Sequence, residues 1–108
     1  MFSSKLYTIY MGDYMKNIVN EIIKFRDDRG WEKNDKPENL AKSIIIEAAE
    51  LLENYQWGPD HADLVNVKEE LADVIIYSVA MAYDLGFDIE EMICEKLEKN
   101  AKKYPVKK

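Results

Sequence analysis

The sequence predicts an all-α protein, a four-helix bundle whose two central helices are antiparallel and carry the acidic residues of a candidate site. Apolar residues recur at helical spacing in four segments, as expected for helices that each bury one face. These segments end at strong turn signals, namely Gly30, the Gly58-Pro59 dipeptide, Gly86 and Pro105, which are typical of helix ends. No segment is a credible strand.

The first helix is expected over about residues 13–29, with Asp13 as its cap and Gly30 as its stop. Its inner face is aliphatic and contains Ile18, Val19, Ile22 and Ile23. The second helix is expected to begin at Pro37, because the fixed φ of proline suits the first position of a helix. The good helix formers of residues 38–55 then extend it.

The third helix is expected over about residues 62–85, with Gly86 in the terminating position. Asp88 followed by Glu91 resembles a capping box and predicts the start of a fourth helix, which Pro105 ends. The second and third helices are joined by a short connection, so they are expected to be antiparallel neighbours.

Length and composition limit the possible classes of protein. A chain of 108 residues is long enough for one domain, which we assign to residues 13–108, with residues 1–12 as a flexible N-terminal arm. The net charge of −6 argues against nucleic acid as a partner. No apolar run approaches the ~18 residues of a membrane span. The lone cysteine, Cys94, suits a reducing cytoplasm, so a cytoplasmic protein is expected.

Two pairs of acidic residues interrupt apolar segments. Glu47 and Glu50 lie within the run from Ile44 to Leu52. Asp73 lies within the run from Leu71 to Tyr83, and Glu70 precedes Asp73 by three residues. Residues three apart on a helix point the same way, so each pair presents two carboxylates together. Burying a carboxylate costs several kcal/mol, and four near one another would also repel. The pattern predicts a divalent-metal site, and Mg²⁺ prefers such oxygen ligands.

Other interpretations of these acids are weaker. An isolated E-x-x-E pair usually lies on a solvent-exposed helix face. Here both pairs are surrounded by aliphatic residues, so neither helix offers a polar face that could include them. A di-iron bundle would need Glu-x-x-His pairs, and the single histidine, His61, lies in the loop after the second helix. Glu53 and Glu69 are ambiguous neighbours, more typical of the rim of a site.

With both pairs in place, the chain resembles the MazG-like superfamily of all-α nucleoside triphosphate pyrophosphohydrolases, in particular its small, dCTP pyrophosphatase-like branch. The family motif is E-x-x-E, a spacer and E-x-x-D, which here reads Glu47-Ala48-Ala49-Glu50 and Glu70-Leu71-Ala72-Asp73. The resemblance implies Mg²⁺, or Mn²⁺ as a substitute, on Glu47, Glu50, Glu70 and Asp73. It also implies cleavage between the α and β phosphates, with Glu47 or Glu50 as general base.

The resemblance also suggests how the substrate is held. It implies phosphate contacts from the fourth helix and from the first, at Lys99, Asn100, Lys103, Tyr104 and Arg26. It implies a base pocket formed by Trp31, Trp57 and Phe25. Read from the residues alone, late lysines simply complement the helix macrodipole, and tryptophans often lie at the edge of a core. Relatives often have a histidine where this chain has Asn34-Asp35-Lys36.

The leading hypothesis is therefore a cytoplasmic, Mg²⁺-dependent nucleotide pyrophosphohydrolase that clears surplus or non-standard (deoxy)nucleoside triphosphates. Four short helices leave apolar surface uncovered, so a homodimer or homotetramer is expected, with active sites shared between subunits. The alternative is a non-catalytic helical module that binds a partner or senses a nucleotide.

Overall fold

The computed structural model describes residues 4–107, with the side chains of residues 14–107. It contains four α-helices: α1 (Ser4–Asp28), α2 (Pro37–Glu53), α3 (Leu64–Asp84) and α4 (Ile89–Lys103). Short 3₁₀ turns at Trp31–Lys33 and Pro59–His61 lie on either side of α2. No strand occurs in the described range, which confirms the all-α prediction. None of the described helices is both long and apolar enough to cross a membrane.

Helix α1 begins at Ser4, so the predicted start at Asp13 is wrong. The chain between these positions contains no proline, and Gly12 is its only strong helix-disfavouring residue, so a helix can propagate through it. Residues 1–3 lie outside the described range. The flexibility assigned to residues 1–12 stays a prediction.

The other helix starts follow the capping signals in the sequence. Helix α2 has Pro37 at its first position, as expected. The Asp63 carboxylate accepts hydrogen bonds from the backbone N–H groups of Val65 and Asn66, at 3.0 and 3.4 Å, so α3 begins at Leu64, slightly later than predicted. Asp88 accepts from the backbone N–H of Glu91 at 2.9 Å and caps α4.

Helices α2 and α3 form the predicted antiparallel pair. Asn54, at the end of α2, is hydrogen-bonded to Asn66, in the first turns of α3. Leu40, in the first turn of α2, shares a core cluster with Ala80, late in α3. The pairing therefore runs in opposite directions along the two helices, which places the middle of α2 beside the first half of α3.

The core lies between α1, the start of α2, the later half of α3 and the start of α4. One cluster consists of Ile23, Leu40 and Ala80, and a second consists of Val79, Ala82 and Ile89. Val19 of α1 packs against both clusters. Helix α4 packs against α1 and α3 and, within the described chain, not against α2. The first half of α3 and the adjoining part of α2 are therefore left without a covering helix.

A large apolar surface results from this arrangement. We call it the open face, and it comprises Ile45, Ile46 and Leu52 of α2 with Leu64, Val65 and Ile75 of α3, all between 56% and 73% exposed. The radius of gyration is 16.9 Å, whereas a compact domain of this length has about 13 Å. The fold of one chain therefore does not bury its own apolar residues fully.

Candidate metal centre

The antiparallel pairing of α2 and α3 brings the two acidic pairs together. One carboxylate oxygen from each of Glu47, Glu70 and Asp73 lies within 4.8 Å of the other two. Ligand oxygens around an octahedral Mg²⁺ lie about 3–4 Å apart, given metal–oxygen distances near 2.1 Å. Small side-chain adjustments would therefore bring these three oxygens to ligand spacing. We refer to Glu47, Glu50, Glu70 and Asp73 together as the acid cluster.

Two oxygens of the acid cluster are buried without a donor. Glu47 Oε2 and Glu70 Oε2 are inaccessible to solvent, and no N–H or O–H donor of the described residues reaches either of them. A buried polar atom that lacks its partner costs about 1–3 kcal/mol, and more when it is charged. The groups that face each other here are carboxylates, so the missing partner is a proton or a cation. The donor set therefore fits a hard divalent ion.

The carboxyl groups perturb one another strongly. Sharing of one proton with the facing Glu70 carboxylate raises the pKa of Glu47 to about 7, and burial and neighbouring Glu50 and Asp73 act in the same direction. The hydrogen bond with Glu47 lowers the pKa of Glu70, but burial and the charges of Glu50 and Asp73 raise it overall. Without metal, the acid cluster therefore retains a proton near neutral pH, and a cation would displace it.

Glu50 lies beside the three closest acids and not among them. It acts on Glu47 by hydrogen bonding and by its charge. It also lines a cavity of about 330 Å³ together with Glu53, Asn54, Asn66 and Glu70. This carboxylate is therefore next to the acids that fit a metal and open to a space that can hold water or substrate.

Arg26, which was predicted to bind phosphate, forms an ion pair with Asp84. Only 7% of the residue is exposed. Its Nη1 and Nη2 donate to the two carboxylate oxygens of Asp84 at 2.6 and 3.0 Å, and its Nε donates to Asp27 at 3.1 Å. This bidentate pair ties α1 to the end of α3, away from the acid cluster.

The other predicted phosphate residues are on α4. Lys99 and Lys103 are exposed, and Lys103 Nζ lies 5.4 Å from the centre of the Tyr104 ring, while Asn100 is half-buried. Helix α4 does not contact α2 in the described chain, and Leu97 on the same helix is 60% exposed. Within one chain, these residues are not brought against the Glu47–Glu50 segment.

The three predicted base-pocket aromatics are divided between the two ends of α2. Phe25 and Trp31 pack edge to face with ring centroids 5.8 Å apart, and the Arg29 guanidinium lies 3.4 Å from the centre of the Phe25 ring. Trp57 is 77% exposed beyond the other end. Because the 17 residues of α2 span about 25 Å, one chain cannot place Trp31 and Trp57 on the same base.

Three residues near the acid cluster were missed in the sequence. Burial raises the pKa of the Tyr77 hydroxyl, and the charges of Glu47, Asp73, Asp35 and Glu50 add to this effect, so Tyr77 lies close to the acids. It follows Asp73 by four residues on α3. Asn54 and Asn66 line the cavity beside the cluster and lie four residues from Glu50 and Glu70. In each case the same helical spacing that revealed the acids was available as a signal.

Comparison with known proteins places these features in one family. A profile of the MazG-like family matches residues 42–108, which include the whole acid cluster. The dCTP pyrophosphatase 1 proteins of Bos taurus and Homo sapiens are 33% and 32% identical over 92 and 91 residues. These alignments cover 77% and 76% of this chain, which spans 54% of each relative.

A solved structure is similar over a greater share of its length. The crystal structure of a pyrophosphatase from Archaeoglobus fulgidus superimposes with a TM-score of 0.79 at 38% sequence identity. The match covers 86% of this chain and 94% of that chain. The likeness therefore extends over nearly the whole of the archaeal fold.

Proposed function

The chain belongs to the MazG-like family, and from this premise we propose that it hydrolyses a nucleoside triphosphate between the α and β phosphates. One water is consumed, and the products are a nucleoside monophosphate and pyrophosphate. The observation that carries the proposal is the acid cluster, where three carboxylate oxygens lie within 4.8 Å of one another and two buried oxygens lack a donor. The names of the relatives, dCTP pyrophosphatase 1 and pyrophosphatase, support it.

Each member of the acid cluster has a role in this proposal. Glu47, Glu70 and Asp73 hold the cation, which we take to be Mg²⁺, with Mn²⁺ as a substitute. The bound cation supplies charge neutralisation at the phosphate oxygens. Glu50 lies outside the closest three acids but lines the adjoining cavity, so it is placed to orient the attacking water and accept its proton. Glu47 is the second candidate for the general base, and its carboxyl would have to be ionised to hold the cation.

The substrate is proposed as a class. The curated relatives act, by their names, on dCTP. We extend this to (deoxy)nucleoside triphosphates as a class, and a panel of such substrates would establish which base the enzyme prefers. Such an enzyme would remove surplus or non-standard nucleotides. The cytoplasmic location predicted from the lone cysteine, which is free and exposed, fits this role and stays a prediction.

We further propose that the functional unit is a homodimer or homotetramer in which subunits share active sites. Exposed apolar surface such as the open face marks a site of protein–protein contact, and a second copy that covers it would also bring a second set of α2 and α4 helices. Trp31, Trp57 and the α4 lysines could then contact one nucleotide although a single chain separates them. Sedimentation equilibrium tests the assembly, since Ile45→Asp should shift the mass toward a monomer.

Complementation tests the shared site. Glu50→Gln and a Lys99→Glu/Lys103→Glu double variant should each be inactive alone. If the two groups come from different subunits, random mixed dimers regain one intact site, which gives about a quarter of wild-type activity. If all these residues act within one chain, the same mixed dimers contain no intact site and the mixture stays inactive.

The reaction itself is tested with purified protein, Mg²⁺ and a panel of triphosphates. Separation of the products distinguishes monophosphate plus pyrophosphate from diphosphate plus phosphate. Turnover should disappear in Glu50→Gln and persist in Glu38→Gln, a matched control because Glu38 is an exposed acid on the same helix. Tight nucleotide binding by the wild type without any turnover would instead support the nucleotide-sensing module.

A further inference from the structure

We propose that Asn54 and Asn66 are positioning residues that hold the two halves of the acid cluster at the separation a cation needs; this rests on the proposed metal-dependent function. Asn66 Nδ2 donates to Asn54 Oδ1 at 3.1 Å, in a partly buried position. The bond joins the C-cap of α2 to the first turns of α3. We call this pair the amide clasp.

Asn54 uses both ends of its side chain. Its Nδ2 donates to the backbone carbonyls of Glu50 at 3.3 Å and Leu51 at 3.4 Å, in the last turn of α2, where the Leu51 carbonyl also accepts the backbone N–H of Asn54 at 3.3 Å. Its Oδ1 accepts the bond from Asn66. The backbone of Glu50 is thus linked to α3 through a single side chain.

The amide clasp lies one helical turn from the acid cluster on both helices. Asn54 follows Glu50 by four residues, and Asn66 precedes Glu70 by four residues, so each asparagine shares a face with its acid. All four residues line the same cavity of about 330 Å³. A change in the separation of α2 and α3 at the clasp would therefore change the distance between the carboxylates.

Three apolar residues at this end of the helix pair contribute little to the contact between α2 and α3. Leu52, Leu64 and Val65, which are close to the clasp in sequence, are 70%, 73% and 69% exposed. Ionised carboxylates on facing helices repel one another and push the helices apart. A hydrogen bond between neutral amides resists this opening without adding charge, which explains why two asparagines, and not another ion pair, occupy these positions.

The test measures Mn²⁺ binding to the full chain in the absence of nucleotide, by titration calorimetry well below the melting temperature. Asn66→Ala removes the donor and should weaken Mn²⁺ binding about tenfold, a usual effect of losing a group that orients metal ligands. Asn54→Ala removes the acceptor and should also weaken Mn²⁺ binding, and adding Asn66→Ala to Asn54→Ala should have little further effect. Asn39→Ala, which removes an amide bonded to the Asn34 carbonyl outside this cavity, is the control and should bind as wild type.

Each outcome decides the proposal. Unchanged Mn²⁺ affinity in a folded Asn66→Ala variant would overturn it, and would show that the clasp only stabilises the fold. Full additivity of Asn54→Ala and Asn66→Ala in the double variant would also overturn it, because the cross-helix bond would then not be the cause. Failure of the wild type to bind Mn²⁺ would remove the proposed metal site itself. Should Asn66→Ala not fold, Asn66→Leu, which keeps the side-chain volume, replaces it with the same expected weakening.

Discussion

The affinity for a metal ion should depend on pH, because Glu47 must lose a proton before it can bind the ion, and the size of this dependence follows from the pKa of Glu47. With a pKa of about 7, this carboxyl is about one-tenth ionised near pH 6 and about nine-tenths ionised near pH 8. Because a carboxylate binds a metal only after losing its proton, the apparent affinity for Mn²⁺ should rise about tenfold between these values. That change equals about 1.4 kcal/mol.

Titration calorimetry in buffers of different ionisation enthalpy measures both the affinity and the number of protons released. About one proton should leave per Mn²⁺ bound near pH 6, and few should leave near pH 8. Glu47→Gln carries no titrating group at this position, so it should bind more weakly and with a much flatter pH dependence. Equal affinity at both pH values in the wild type, or an unchanged slope in Glu47→Gln, would refute the reasoning.

The same proton affects the stability of the metal-free protein. The pKa of Glu47 is raised from its ordinary value of 4.5 to about 7 in the folded state, so the folded state binds the proton more tightly than the unfolded state does. The contribution of this bound proton to the free energy of unfolding is fully present below about pH 4.5, and it is lost as the pH rises through about 7. Saturating Mn²⁺ should therefore raise the melting temperature more near pH 8 than near pH 6.

Three further outcomes are expected. Near pH 8 without metal, Glu70→Gln should raise the free energy of unfolding, because it removes the repulsion between the Glu70 carboxylate and the facing acids, and it should also abolish the stabilisation by Mn²⁺. Thermal unfolding with and without the ion would show both effects, and a less stable metal-free variant would contradict this. Arg26→Met should lower the free energy of unfolding, measured in urea, by about 2–3 kcal/mol, because it leaves Asp84 unpaired. If turnover were lost and stability were unchanged, Arg26 would be a phosphate contact and not part of a structural ion pair. Trp31→Phe leaves Trp57 as the sole tryptophan, and its fluorescence should change when a base covers the exposed indole; an unchanged spectrum at saturating nucleotide would remove Trp57 from the base pocket.

The positions of the acids were predictable because two local rules were enough. The three-residue spacing places Glu47 with Glu50 and Glu70 with Asp73 on one face of each helix, and a short connection makes the helices antiparallel. The structure confirms the antiparallel pairing and brings Glu47, Glu70 and Asp73 together. The starts of α2 and α4 were likewise predictable, from Pro37 at the first helical position and from the Asp88 cap, whereas the Asp63 cap of α3 was not identified.

Features that depend on partners distant in sequence were not predictable. Arg26 interrupts an aliphatic stripe and was assigned to phosphate, but its partner, Asp84, lies 58 residues away, and nothing in the local pattern identifies that pairing. The start of α1 was missed because residues 6–11 are apolar or aromatic at almost every position, so no polar side separates a buried helix face from an exposed one. The separation of Trp31 from Trp57 could have been inferred, since a helix of this length keeps residues at its two ends far apart.

Anomalous diffraction from crystals grown with Mn²⁺ and a non-hydrolysable triphosphate would test the proposed metal site most directly. The expected result is a Mn²⁺ peak ligated by oxygens of Glu47, Glu70 and Asp73, with the triphosphate bound to the same ion and Glu50 facing the α phosphorus. A nucleotide bound with no Mn²⁺ at these carboxylates, or with Mn²⁺ held only by other residues, would contradict the proposed reaction.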